Sequence, residues 1–402
     1  MRALALVVPP LVLAACSGGG RDSFTYYPGD LPPVEPPGQP PSDAAVAVPE
    51  GSTATNAANV SLPAPVVAEC VRVDEGQGAS PSLHAVAGRW FAFFTEGSGS
   101  VAPLNVRSAA IPGLAFGPAS TLLYGATKVD LVDDGGLLRA LASRQFYAVF
   151  LDSADGATWT EGSKLPTSEV DLLCDGFTPA IFARGSGPPA FVAAGRDYNT
   201  HIFGCAPEVL VAAMPAGNAT ASPVAIGKGY PVLALRSSTG LDTVAGTFGV
   251  YTSRDQGATF TEVPSGDTTA DQIRGTSGAM ANATMALAQS FSYGVANPNH
   301  IAVIFSDDGG SSWPRRVVLQ KSGTYPGDPL IAADGDFLAV AWQTGGDIQI
   351  MTSPDRGATW SEPAVATPPS DAGAAQLGGL AVSGTVVAIA ATGGGVQICR
   401  IE

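Results

Sequence analysis

The chain has 402 residues, 45% of them hydrophobic and only 14% charged, enough apolar length to bury a large core in one or two domains. Its 49 glycines and 33 prolines imply frequent turns and exclude a fold built on long helices. The formal charge of −15 repels phosphate backbones, which argues against a nucleic-acid partner, and it leaves no basic patch for anionic lipids.

Met1 and Arg2 form a short positive region, and Ala3 to Leu13 is an apolar run too short to span a bilayer as a mature helix. Leu13-Ala14-Ala15-Cys16 follows, then Ser17-Gly18-Gly19-Gly20. This resembles the bacterial lipobox. The resemblance implies that residues 1–15 are a signal peptide, that Cys16 carries the lipid, and that the membrane is a partner through that lipid. Ser17 after the cysteine, rather than Asp, implies an outer-membrane lipoprotein of the cell envelope. Residues 16–65 then read as a disordered tether. Pro28, Pro32, Pro33, Pro36, Pro37, Pro40 and Pro41 sit there among Gly, Ser and Asp, a composition that forms no core and stays extended.

Residues 66–402 carry short apolar runs broken by turn residues. Ala85 to Phe94 reads as two strands broken at Gly88-Arg89, and Leu137 to Asp152 as two broken near Ser143-Arg144. Pro329 to Trp342 gives Leu-Ile-Ala-Ala, a turn at Asp334-Gly335-Asp336, then Phe-Leu-Ala-Val-Ala-Trp. That last run lacks polar alternation, so both its faces should be buried.

Four segments share one pattern: Ser153-Ala-Asp-Gly-Ala-Thr-Trp159, Ser253-Arg-Asp-Gln-Gly-Ala-Thr-Phe260, Ser306-Asp-Asp-Gly-Gly-Ser-Ser-Trp313 and Ser353-Pro-Asp-Arg-Gly-Ala-Thr-Trp360. Their first residues are 100, 53 and 47 positions apart, so the first gap spans two periods of about fifty. Eroded copies fit at Ser108, with Gly113 and Phe116, and weakly from Ala213 to Thr220. The pattern resembles the Asp-box, or bacterial neuraminidase repeat, of sialidase-like proteins. The resemblance implies an all-β β-propeller whose boxes lie on the outer rim, away from the ligand face. Asp155, Asp255, Asp308 and Asp355 are structural in this reading: each accepts backbone N–H groups in a tight turn, and a nearby glycine supplies positive φ.

Strand pairs start near residues 81, 136, 178, 230, 284, 328 and 378. Seven four-stranded blades are therefore expected, with six, as in sialidases, the alternative. The last unit has three strands, and Val66 to Asp74 would supply the fourth, closing the ring with both termini. Cys70, Cys174, Cys205 and Cys399 allow three disulfide pairings. Closure selects Cys70–Cys399, which leaves Cys174–Cys205. No C-x-x-C metal pattern is present, and no metal or cofactor is expected.

Sialidase chemistry needs three arginines on a substrate carboxylate, a Tyr–Glu pair and an Asp acid. The family's Arg-Ile-Pro motif is absent from this chain, and Arg72 stands in another context, so no catalytic residue carries over. His84 reads as a packed strand residue and His300 as part of a solvent turn. Gly195 to His201 gathers Arg196, Asp197, Tyr198 and His201 on one loop. Tyr230, Arg274, Tyr325 and Asp328 fall where new blades are expected to start. Together they form the candidate axial binding surface. The functional expectation is a monomeric, surface-anchored binding or scaffold lipoprotein that recognises a glycan or protein. The alternatives are a sialidase-like exo-glycosidase and an envelope-complex assembly factor.

Overall fold

The computed structural model describes residues 54–402 apart from 77, 98–100, 145–147, 165–177, 183–189, 195–199, 205–209, 214–218, 225–231, 238–247, 253–260, 264–271, 293–298, 323–325 and 369–374. The chain first lays down β1 (Ala54–Ala57), β2 (Val60–Leu62) and β3 (Val67–Arg72), each of which joins strands formed much later. A first antiparallel sheet follows: β4 (Gly78–Val86), β5 (Arg89–Glu96), β6 (Pro103–Ala110) and β7 (Ser120–Tyr124). The second sheet holds β8 (Ala126–Asp133), β9 (Leu138–Arg144), β10 (Ala148–Ser153) and β11 (Thr160–Lys164). The third holds β12 (Thr178–Phe182), β13 (Ala190–Ala194), β14 (Thr200–Gly204) and β15 (Leu210–Ala213). The fourth holds β16 (Ala219–Val224), β17 (Val232–Ser237), β18 (Phe248–Thr252) and β19 (Thr261–Val263).

In the fifth sheet β20 (Gln272–Ala281), β21 (Thr284–Ser292), β22 (Asn299–Ser306) and β23 (Arg315–Ser322) pair in turn, and β1 adds to β23 in parallel. The sixth holds β24 (Leu330–Asp334), β25 (Phe337–Thr344), β26 (Asp347–Ser353) and, after the short β27 (Trp360–Ser361), β28 (Ala364–Val365). β2 pairs in parallel with β27. The seventh holds β29 (Gln376–Ser383), β30 (Val386–Thr392) and β31 (Val396–Ile401), and β3 supplies its outer strand.

Second strands carry the longest apolar runs because they are buried on both faces. Trp90 to Phe94, Leu338 to Trp342 and Val387 to Ala391 are each at most 1% exposed. Tight turns keep the hairpins short; Ala87 and Gly88 both take positive φ between β4 and β5, the signature of a type I′ turn. The core lies between sheets rather than within one. One cluster joins Phe91 and Phe93 of the first sheet to Ala140 and Val149 of the second. Others join the fifth to the sixth through Phe305 and Trp342, and the sixth to the seventh through Ile350 and Ile389. A fourth joins the seventh back to the first, with Ala388 and Ile398 against Trp90 and Phe94.

First strands neighbour one another in sequence order from β4 to β8, β12, β16, β20, β24 and β29, and β29 neighbours β4. Face-to-face four-stranded sheets whose first strands sit side by side make a β-propeller. The last junction is crowded: a Cβ on Gly379 would lie 2.6 Å from the Leu83 amide nitrogen, so only glycine lets β29 come this near β4.

The seventh sheet is stitched within β3 and just beyond it. Cys70 pairs in register with Cys399, and the two are disulfide-bonded across 329 positions of sequence. Just past β3, the Asp74 carboxylate is fully buried and accepts from the backbone amides of Gly76, Gly78 and Val396 and from Arg72 Nε. Arg72 Nη2 also donates to the Gly394 carbonyl. Burial pushes the Asp74 carboxyl up, but Arg72 and the three amides outweigh it and hold it below the usual range. Cys174 and Cys205 lie outside the described residues.

Three expectations change. The strand starts read near 136, 230 and 284 are those of the second strands β9, β17 and β21. The first strands β8, β16 and β20 precede them, and their polar and small residues hid them. Residues 54–62, assigned by composition to the tether, include β1, on the outer edge of the fifth sheet, and β2, which makes a two-stranded sheet with β27. His300 is not in a solvent turn; it lies in β22, 4% exposed, with Arg316 Nη2 2.8 Å from its Nε2.

Candidate functional site

All four boxes occupy one topological position, directly after the third strand of a sheet: β10 to β11, β18 to β19, β22 to β23, and β26 to the short β27 that precedes the fourth strand β28. The eroded copy at Ser108 lies at the same place, from β6 to β7. The weak match from Ala213 lies past its fourth strand, since β15 ends there. The box at Asp255 is outside the described residues.

In the other three boxes the serine opens the turn. Ser153, Ser306 and Ser353 each donate to the following aspartate and accept the amide of Gly156, Gly310 and Gly357. Asp155 Oδ1 accepts the amides of Ala157 and Thr158. Asp308 accepts the amide and hydroxyl of Ser312, and Asp355 those of Thr359. The amides of Thr158 and Ala157 hold Asp155 down to about 2. Burial raises Asp308, but the Ser312 hydroxyl and amide and the Ser306 hydroxyl outweigh it, again to about 2. Asp355 is lowered in the same way against the same opposing burial. Carboxylates so engaged are turn-holders, not acids or bases.

The box glycines and aromatics reach the preceding sheet. Gly156 sits on the ring of Phe91 and Gly357 on that of Phe305. Trp159 meets Phe91 and Phe93 edge-on, at centroid distances of 6.3 and 6.0 Å. The boxes at Asp155 and Asp355 therefore each fasten their own sheet to the one before. The phenylalanine partners were not found from the sequence; no spacing rule links residue 91 to residue 156.

At the opposite end, four of the seven first strands share another feature. Their pairing with the second strand slips near the entry point: between Ala79 and Ser82 in β4, Ala126 and Lys128 in β8, Ile273 and Gly275 in β20, and Leu377 and Gly379 in β29. Such bulges kink a strand and re-aim its side chains, and they collect beside binding sites. Arg274 is the residue left over at the β20 slip, inside a strand rather than a loop. Asp328 is exposed in the connection that enters β24. His201 lies in β14, paired with Ala193 and Ala213. Arg196, Asp197, Tyr198, Tyr230 and Tyr325 lie outside the described residues. β13 and β14, which flank residues 195–199, are the second and third strands of the third sheet. β16 and β17, which flank Tyr230, are first and second strands of one sheet, so no new sheet starts there.

One further polar pair stands on two first strands. His84 Nε2 is 3.2 Å from the Val129 carbonyl, which only accepts, so the ring proton belongs on Nε2. Its Nδ1 is 3.8 Å from Asp130 Oδ1, and the ring meets Phe93 edge-on. Burial lowers its pKa against the pull of Asp130, which keeps the imidazole neutral with a free Nδ1 lone pair. Such a pair can accept a hydrogen bond or a proton.

No known protein family matches the chain, and no curated protein does. Solved structures that it resembles include a Hadza microbial sialidase, at 16% identity and a TM-score of 0.44, covering 66% of this chain and 63% of the sialidase. The β-propeller domain of the trilobed protease from Pyrococcus furiosus aligns at 9% identity and a TM-score of 0.48, over 79% of this chain and 90% of that one. A prolyl endopeptidase aligns at 12% identity and a TM-score of 0.43, over 81% and 50%. The chain thus spans less than two thirds of the sialidase and half of the endopeptidase.

Proposed function

We propose that this chain is an exported lipoprotein, held to the outer membrane through Cys16, whose seven four-stranded sheets form a closed propeller that binds a glycan or a protein at its axial end. The observation that carries the binding reading is the set of slips at the entry of four first strands, all at the end away from the boxes. Closure is supported by the core between the seventh and first sheets and by β3 pairing with β31. Export is supported by the Cys70–Cys399 disulfide, since such bonds persist in oxidising compartments. Binding without turnover is supported by the box aspartates, whose carboxylates are taken up in their own turns.

The test uses the full chain with an arrayed panel of surface glycans and envelope proteins. Arg196→Glu and Arg274→Glu together should abolish capture of whatever the native chain retains, with folding unchanged. Retention by the charge-reversed protein would refute the axial site. Release of fluorophore from a fluorogenic sialoside would replace the reading with the exo-glycosidase one.

A further inference from the structure

A concavity lies at the box end, away from the slipped entries of the first strands. It is a cleft of 560 Å³ between the turn joining β20 to β21, the start of β23 and the box of the sixth sheet, and Asn59 of the N-terminal segment forms part of its wall. That volume is within the range of small-ligand sites.

Its walls are unusually fixed. Arg315 is half-buried, its guanidinium carbon 3.7 Å from the centre of the Phe305 ring. It donates through Nη1 to the Gly357 carbonyl and through Nη2 to the Arg356 carbonyl, each at 2.9 Å. Four non-glycine residues among those described take positive φ, and two of them meet here: Asn282 at 51° and Arg356 at 57°. Both converge on Asp336. Asn282 Nδ2 donates to its Oδ1 at 2.7 Å, Arg356 Nε lies 3.2 Å from the same oxygen, and the Arg356 amide donates to its carbonyl. The corresponding position of the preceding box is Gly309, at φ 68°, which is the residue such a backbone favours. An arginine held at positive φ, beside a concavity, is the kind of strained residue found at ligand clamps.

The chemistry of the walls selects the ligand. Arg315 and Arg356 are offset by Asp307 and Asp355, so the lining carries no net formal charge and exerts no pull on an anion. Arg315 and Arg356 line the cleft together with Asp307, whose carboxylate already accepts from the Thr284 hydroxyl, and with Asn59. Hydroxyls that both donate and accept match such a mixture. Val317 and Ala358 add apolar surface for the C–H face of a ring. We propose that this cleft binds a neutral saccharide of one or two rings, independently of the axial site.

Saturation-transfer NMR on the full chain with maltose, cellobiose and diacetylchitobiose tests it. At least one should bind, and Arg356→Gly should weaken it about tenfold, the loss of one charged hydrogen bond. That variant matches Gly309, so its melting temperature should not fall. Arg196→Glu, the variant that tests the proposed axial site, should leave this binding unchanged. No transfer to any of the three, equal affinity in Arg356→Gly, loss in Arg196→Glu, or tighter binding of N-acetylneuraminate would each overturn the assignment.

Discussion

Replacing Gly357 by alanine should cost far more than replacing Gly309, two residues that both take positive φ in box turns. The conformational cost is shared: an L residue held in this region loses about 1 kcal/mol relative to glycine. The packing cost is not. A Cβ on Gly357 would fall against Cζ and Cε1 of Phe305, in the preceding sheet, whereas a Cβ on Gly309 meets nothing within 4 Å. Forcing a methyl into a packed contact adds about 1–3 kcal/mol. The expected losses are therefore about 2–4 kcal/mol for Gly357→Ala and about 1 kcal/mol for Gly309→Ala. Urea unfolding at neutral pH, with the m-value held constant, reads both. Phe305→Leu in the Gly357→Ala background should recover part of the loss, since the two sites touch. If the two glycine variants lost the same stability, the boxes would not fasten one sheet to the next.

Reduction of Cys70–Cys399, or the double serine variant, should lower stability. The chain-entropy model gives about 6 kcal/mol for a loop this long, and measured losses for native disulfides are typically about 2–5 kcal/mol. An unchanged urea midpoint in reductant would contradict this. Asp74→Ala leaves three backbone amides without their acceptor and should cost about 2–4 kcal/mol by thermal or urea unfolding; a loss under about 0.5 kcal/mol would show that water replaces the carboxylate. Asp155 and Asp308 have folded pKa values depressed to about 2 against 3.8 for the free group, so their contribution is complete above about pH 4 and lost as pH falls through 2. The double Asp→Asn variant should be less stable at pH 6 and show a shallower acid limb; parallel limbs would refute the assignment. His84 is depressed below 6.5, so the unfolded chain takes up the proton first and stability falls as pH drops below that value. His84→Gln should flatten that segment of the stability profile.

Much of this architecture was legible because two signals are local. The box needs serine, aspartate and glycine within five residues, so the turns that carry it showed themselves. The fully apolar second strands, such as Phe337–Thr344, announced their own burial. The pairing of β3 with β31 followed from counting strands in the last unit. First strands were harder. β8, β16 and β20 read Ala-Thr-Lys-Val-Asp, Ala-Thr-Ala-Ser-Pro and Gln-Ile-Arg-Gly-Thr-Ser, because a strand with one face toward the axis needs no continuous apolar run. β1 and β2 were hidden for another reason: parallel addition to a distant edge leaves no trace in the spacing of Ala54 to Leu62. The saccharide cleft was equally silent. Asn59, Asp307, Arg315 and Arg356 are brought together from the β1–β2 connection, two box turns and the start of β23, and only the backbone at Arg356 marks the place.

The pairing of cysteines tests closure most directly. Peptide mapping of the unreduced, thiol-blocked protein should recover a fragment containing Cys70 linked to one containing Cys399, since those residues are adjacent only where the two ends of the ring share a sheet. Cys70 joined to Cys174 or Cys205, or recovered as a blocked thiol, would mean that the ring is not closed in this way.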